Sequence, residues 1–176
     1  MFPLLETERL ILRELVEDDA QDILNCFSNA EVLRYYGQKS LTSLDQVKQI
    51  IRNFSANYDE KRGIKWGIEQ KETCSIIGTI GFQDWSLEHK RAEISYALFP
   101  EKWGNGYAKE AVNKVISYGF EELGLERIGA VVFVENNASN NLLTKLGFIK
   151  EGTLRKYMYQ NDIPYDTNIY SLLKKN

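Results

Sequence analysis

The residues best placed to do chemistry form a short run, Trp103-Gly104-Asn105-Gly106-Tyr107-Ala108-Lys109, just ahead of a strongly helical segment. The first turn of a helix carries backbone N–H groups without partners and a partial positive charge, so it attracts anions. Gly104 and Gly106 let the backbone approach a phosphate closely, and small Ala108 leaves room at the contact. The same glycines serve equally well in a turn that only starts a helix, and from them alone the two readings stand level. A nucleotide-binding domain using the same glycines is a further alternative, although two phosphate-binding loops are not matched in detail. A Walker loop needs Gly-Lys-Ser/Thr, whereas Gly106 is followed by Tyr107-Ala108; a dinucleotide fingerprint needs Gly or Ala where Lys109 stands.

Other candidates are sparse. His89 is the only histidine, so a multi-histidine metal site is excluded and no metal is expected. It sits among charged residues in a turn, which suits a solvated side chain. Cys26 and Cys74 lie in unrelated segments without metal-ligand spacing, as plain thiols of a reducing compartment would. Tyr35, Tyr36, Trp85 and Tyr157 could line a pocket for a small molecule, although aromatic clusters more often build core.

The elements that must position these residues follow from periodicity. Arg9–Leu15 reads as a first strand; Asp18 and Asp19 offer caps for a helix carrying Ala20, Ile23, Leu24 and Phe27. Ser43 with Gln46 makes a capping-box pattern before the stripe Val47, Ile50, Ile51, Phe54 and Tyr58. Strands are then expected at 64–69, 75–85 and 91–99. In the last, Ala92, Ile94, Tyr96 and Leu98 face one way, and Glu93, Ser95, Ala97 and Phe99 the other. A long helix follows the glycine loop and ends at Gly124, where a C-cap glycine belongs. Ile128–Val134 reads as a central strand buried on both faces. A short helix from about Ser139 and two closing strands complete the order β-α-α-β-β-β-α-β-α-β-β. That is an α/β layer domain with a mostly antiparallel sheet, one continuous domain over 1–176 without repeats or linkers.

Bulk properties exclude several functions. A formal charge of −3 provides no basic surface for nucleic acid. The start lacks the basic and apolar segments of a signal peptide, and no run is long enough to span a membrane. A cytoplasmic protein is expected.

The glycine loop resembles motif A of the GNAT acetyltransferases, Gln/Arg-x-x-Gly-x-Gly/Ala, with Trp103 first, Gly106 fourth and Ala108 sixth. Trp103 departs from Gln/Arg, but Pro-Glu-x-Trp-Gly-x-Gly-Tyr-Ala-x-Glu-Ala is similar to the RimJ/RimL-type branch. Thr7–Arg13, Asn136-Asn137-Ala138-Ser139, Lys145–Phe148, Glu151-Gly152, and Asp166 with Tyr170 extend the resemblance over nearly the whole chain. It implies the acyl-CoA N-acyltransferase fold, with helices on both faces of a mixed sheet, and acetyl-CoA as cofactor. It further implies that Trp103 to Lys109 hold the pyrophosphate. The backbone of Tyr96, Ala97, Leu98 and Phe99 would pair with pantetheine, the Leu98 amide would face the oxyanion, and Asn136 would meet the pantetheine arm.

Acetyl transfer from a thioester to an amine makes three demands: the amine must lose a proton, the oxyanion needs donors, and the departing thiolate benefits from a proton. The resemblance makes Glu93 the base, often acting through water; an exposed strand glutamate is the alternative. Many relatives take the proton donor from a Tyr four residues before the Gly-Phe pair, where this chain has Leu143. The branch's Asn-x-x-Ser pattern puts Ser139 in that role instead, against its alternative as a helix N-cap. Met158 occupies the place of a second glutamate carried by some ribosomal-protein members. The acceptor implied is a protein N-terminal α-amine or a small-molecule amine, and a homodimer is common in the branch. A non-catalytic acyl-CoA-sensing module is the competing function.

Overall fold

Alternating apolar and polar residues become strands, and 3.6-residue stripes become helices, in a computed structural model that describes residues 1–176. The strands are β1 (Leu5–Glu6), β2 (Leu10–Glu14), β3 (Ile64–Gln70), β4 (Ser75–Ser86), β5 (Arg91–Leu98), β6 (Arg127–Phe133), β7 (Ile149–Gln160) and β8 (Ile163–Leu173). The helices are α1 (Ala20–Phe27), α2 (Ala30–Leu33), α3 (Leu44–Asp59), α4 (Tyr107–Glu121) and α5 (Asn137–Lys145). One 8-stranded sheet runs β1-β2-β3-β4-β5-β6-β8-β7, and only β5–β6 is parallel.

Each sheet face has its own core. Ile94 and Leu98 of β5 pack with Ala111, Val112, Val115 and Ile116 of α4 and Leu143 of α5. Ala97, pointing the opposite way, packs with Ile23 and Phe27 of α1 and Val47 and Ile51 of α3. The expected division of β5 into two faces therefore holds. Val112 and Val115 are 0% exposed, and each contributes roughly 1.5–3 kcal/mol by leaving water. No helix is long and apolar enough to cross a membrane.

Several local expectations change. The two-residue β1 and the one-turn α2 are too short to leave a periodic signal. Ser43 does cap α3, accepting from the Gln46 amide, but Gln46 reaches back to the Thr42 amide rather than to that of Ser43. Helix α5 begins at Asn137 rather than near Ser139, because Asn136 is the cap and its side chain accepts from the Ser139 amide.

The feature that opens a site is the short β5–β6 pairing. The two strands pair only from Arg91 to Glu93 against Arg127 to Gly129. Beyond that point β5 stays with β4 through Leu98, while β6 follows β8 through Phe133. Val131 and Val132 line the resulting gap and are only half-buried, so β6 is not covered on both faces along its whole length.

Candidate functional site

The glycine loop is held in place from three sides. Gly104 and Gly106 have φ of +74° and +82°, values that side-chain-bearing residues rarely adopt. Glu110, in the first turn of α4, accepts from Thr7 Oγ1 at 2.5 Å, the Arg9 amide at 2.8 Å and Arg9 Nε at 2.7 Å. Arg9 also donates to the Asn105 carbonyl and lies 4.2 Å from the centre of the Tyr107 ring. Burial pushes the Glu110 carboxyl upward, but the hydrogen bonds from Thr7 and Arg9 outweigh it and leave the group below the usual range. From below, buried Gln70 receives Lys102 Nζ and donates to the Tyr107 hydroxyl. The Trp103 indole donates to the Leu98 carbonyl at 3.0 Å, so this departure from Gln/Arg pins the loop to the end of β5.

The loop borders a cleft of about 890 Å³, lined by Ala97, Leu98, Trp103, Gly104, Gly106, Tyr107, Ala108 and Lys109. A Cβ at Gly104 would meet nothing within 4 Å, so the loop backbone is open to a ligand. The Phe99 amide bonds the Ile77 carbonyl on β4. Amides alternate sides along a strand, so those of Leu98 and Tyr96 point into the gap beside β6. Unpaired backbone of this kind takes an extended amide-bearing ligand as an added strand. These features fit a CoA-sized molecule, with its pyrophosphate at the loop and its arm along β5.

Beside it lies a cavity of about 770 Å³ whose walls include Glu93, Lys65 and Ser95. Cleft and cavity share Tyr35, Tyr36, Tyr96, Asn136 and Ser139 as walls and therefore meet at the splayed strands. At that junction the Tyr96 hydroxyl and Ser139 Oγ are 2.8 Å apart. Since Asn136 supplies the cap, the Ser139 hydroxyl is free for this contact. Burial pushes the Tyr96 phenol up, opposed by the Ser139 hydrogen bond, and burial pushes Tyr36 up to about 12. Leu143, 0% exposed, fills the place of the usual Tyr with an apolar side chain.

Asn140 fastens the base of α5. Its amide nitrogen donates to the Phe133 and Asn136 carbonyls, and its oxygen accepts from Asn168 at 2.9 Å and Tyr170 at 2.6 Å. Glu93 is half-buried on β5, opposite Gln83 of β4. Burial raises its carboxyl, the Gln83 hydrogen bond lowers it, Asp84 raises it, and Arg91 and Arg127 lower it; the outcome lies above the usual glutamate range. Its Cγ lies against Gly129 of β6, 3.5 Å from where a Cβ there would stand, an ordinary contact distance.

The remaining candidates separate. Tyr157 lines the cavity beside Met158, whose apolar side chain offers no acid or base there. Trp85 lines neither cavity, and this corrects its placement in a pocket. Asp84 has φ of +49° within a register shift of β4, which breaks the alternation and turns Trp85 onto the α4-side core with its indole N–H buried and unpartnered. Phe99 packs into the α1–α3 core, and Asn105 turns its amide back onto the Lys102 and Trp103 carbonyls; neither lines the cleft. Lys65, the Tyr96 hydroxyl and Asn140 were not legible as site residues. Only the shared facing of Ser95 and Glu93 hinted at what else lies on that surface.

A sequence profile described as the acetyltransferase (GNAT) domain matches residues 9–149. The chain is 59% identical over 174 residues to the uncharacterized N-acetyltransferase YoaA of Bacillus subtilis, covering 99% of this chain and 98% of the relative. The structure of ribosomal-protein-S5-alanine acetyltransferase from Vibrio fischeri superposes with a TM-score of 0.87 at 26% identity, covering 97% of this chain and 96% of that one. RimL, the ribosomal L7/L12 alpha-N-protein acetyltransferase in complex with coenzyme A, gives a TM-score of 0.90, with 97% of this chain and 98% of that one covered. At 17% identity this is a likeness of fold.

Proposed function

The chain belongs to the GNAT acetyltransferase family and is an acetyl-CoA-dependent N-acetyltransferase, and we propose that a primary amine attacks the thioester directly in a ternary complex at the Tyr96–Ser139 junction. The observation that carries this reading is that the loop-bordered cleft and the Glu93 cavity meet there, through the gap between β5 and β6. Two reactants held in adjoining cavities that meet at one point need no covalent enzyme intermediate, and holding them together supplies much of the acceleration.

Acetyl-CoA supplies an activated acyl carbon. The amides of the loop and of the first turn of α4 bind its pyrophosphate, and the gap-facing edge of β5 aligns its arm. Glu93 accepts, through a water, the proton that the amine must shed; its raised carboxyl makes it a better base than an exposed glutamate. The Leu98 amide donates to the oxygen that gains charge as the C–N bond forms. Ser139, backed by the Tyr96 hydroxyl, gives a proton to sulfur as the C–S bond breaks, so an amide and a free thiol leave. The phenol thus reaches the junction from β5, compensating for Leu143 on α5.

Initial-rate thiol release with acetyl-CoA and a panel of amines and peptides tests the reading. Intersecting double-reciprocal lines are expected, together with a loss of at least about 100-fold in kcat for Glu93→Gln. Parallel lines, or CoA binding without turnover on every acceptor and no effect of Glu93→Gln, would sink it; the latter would instead support the sensing module.

A further inference from the structure

Lys65 lies on the floor of the cavity, on the same sheet face as Glu93, and has no counter-charge. Its register partner on β4 is Gly81, whose own partner on β5 is Ser95. A Cβ at Gly81 would fall 2.0 Å from the Ile64 carbonyl oxygen, so that position stays bare and the lysine crosses above it. Its ammonium donates to Ser95 Oγ at 2.8 Å, its one hydrogen bond. No carboxylate lies within 4.0 Å of it, although eight ion pairs form elsewhere, and the ring of Phe54 is 5.9 Å away.

An ammonium has three donors, and here the protein satisfies one. A cation taken partly out of water without a counter-charge is costly, and the cost falls away when an anion arrives. Burial pushes the Lys65 ammonium down to about 8, so the group is still charged near neutral pH. Arg62 and Asp84, the other charged walls, are both exposed, and Arg62 is already paired with Glu60. The interior therefore has two poles: Glu93, and the Lys65–Ser95 pair. Glu93 and Ser95 are two residues apart on one strand face, a separation on the order of 7 Å.

We propose that the acceptor is a zwitterion, a primary amine bearing a carboxylate that docks on Lys65 and Ser95 while the amine faces Glu93. The proposal rests on the reading of this cavity as the acceptor site. The pole separation matches roughly two extended residues, the reach of a dipeptide or ω-amino acid, or of an acidic side chain just behind a protein N-terminus. A polyamine, with cations at both ends, would set one of them against Lys65.

The test compares matched acceptors in the thiol-release assay. Gly-Gly against its C-terminal amide, and 6-aminohexanoate against hexylamine, probe the free carboxylate. C-terminally amidated Ser-Asp-Ala against Ser-Asn-Ala probes an acidic side chain. A charge-assisted contact predicts a preference of about 10- to 100-fold in kcat/KM for the carboxylated member, expressed mainly in KM. The peptide pair alone showing it would point to a protein N-terminus, and the first two pairs alone to a small molecule. Lys65→Met should bring that ratio close to one, and Lys65→Glu should turn the preference toward diamines; thermal melts establish that both variants fold. Equal rates within every pair, or an equal loss on both members in Lys65→Met, would overturn the proposal. Calorimetry of the dipeptides on the CoA complex gives the same ratio without turnover. Binding preference there, with no turnover on any amine, would leave the zwitterion site standing while removing the acetyl-transfer reading.

Discussion

Ser139→Ala separates catalysis from structure because the hydroxyl does not cap its helix. Asn136 does that, so truncating Ser139 leaves the helix end intact and removes one hydrogen bond, the 2.8 Å contact to Tyr96. That bond is worth about 1 kcal/mol net. Alanine's better helix propensity recovers about half of that, and the adjoining cavity lets water replace the lost partner. The expected stability change is therefore below about 1 kcal/mol. A general acid contributes about 10²- to 10⁴-fold, or roughly 3–5 kcal/mol of barrier, so kcat should fall far more than stability does. If Tyr96 works through Ser139, then Tyr96→Phe lowers kcat as well, and the double variant is no slower than the worse single one. Thiol release gives kcat, calorimetry gives CoA affinity, and a urea melt gives stability for all four proteins. Unchanged kcat in Ser139→Ala, or losses that multiply in the double variant, would refute the Ser139–Tyr96 relay.

Three further outcomes follow from the same geometry. Gly106→Val should weaken CoA binding by at least about 10-fold in calorimetry, because φ of +82° strains a β-branched residue at the anion loop; unchanged affinity would remove the loop from the cofactor site. In the wild type kcat/KM should rise with pH on an acid limb displaced above the exposed-glutamate value of about 4.3, since Glu93 must lose its proton to act; Glu93→Gln should abolish that limb, and a limb that persists would assign it elsewhere. Glu110→Ala should cost about 2 kcal/mol in a melt by stranding the Arg9 amide and guanidinium. The Glu110 carboxyl lies below its usual range when folded, so its stabilisation is present near neutral pH and is lost as pH falls below about 4; a variant as stable as wild type at pH 7 would contradict it.

Much of this architecture was legible because it follows from period alone. The two faces of β5, the apolar stripe of α4 and the glycine at its end are local patterns, and the resemblance supplied the meaning of the loop. The contacts that build the junction are not local. Tyr96 and Ser139 are 43 residues apart, and their meeting depends on where β5 leaves β6. Lys65 stands between buried Ile64 and Trp66, where an alternating strand turns a side chain away from its core; nothing nearby in the chain indicates that Gly81 and Ser95 carry it into a cavity. Trp85 failed for a related reason, since one left-handed residue at Asp84 reverses the alternation on which face assignments rest.

Diffraction from crystals grown with acetyl-CoA would show the junction occupied. The pyrophosphate should lie on the amides of Gly104 to Ala108, the arm along the gap-facing edge of β5, and the thioester sulfur within about 3.5 Å of Ser139 Oγ or the Tyr96 hydroxyl. An acetyl group turned away from the Glu93 cavity, or a cofactor seated outside the β5–β6 gap, would contradict this arrangement.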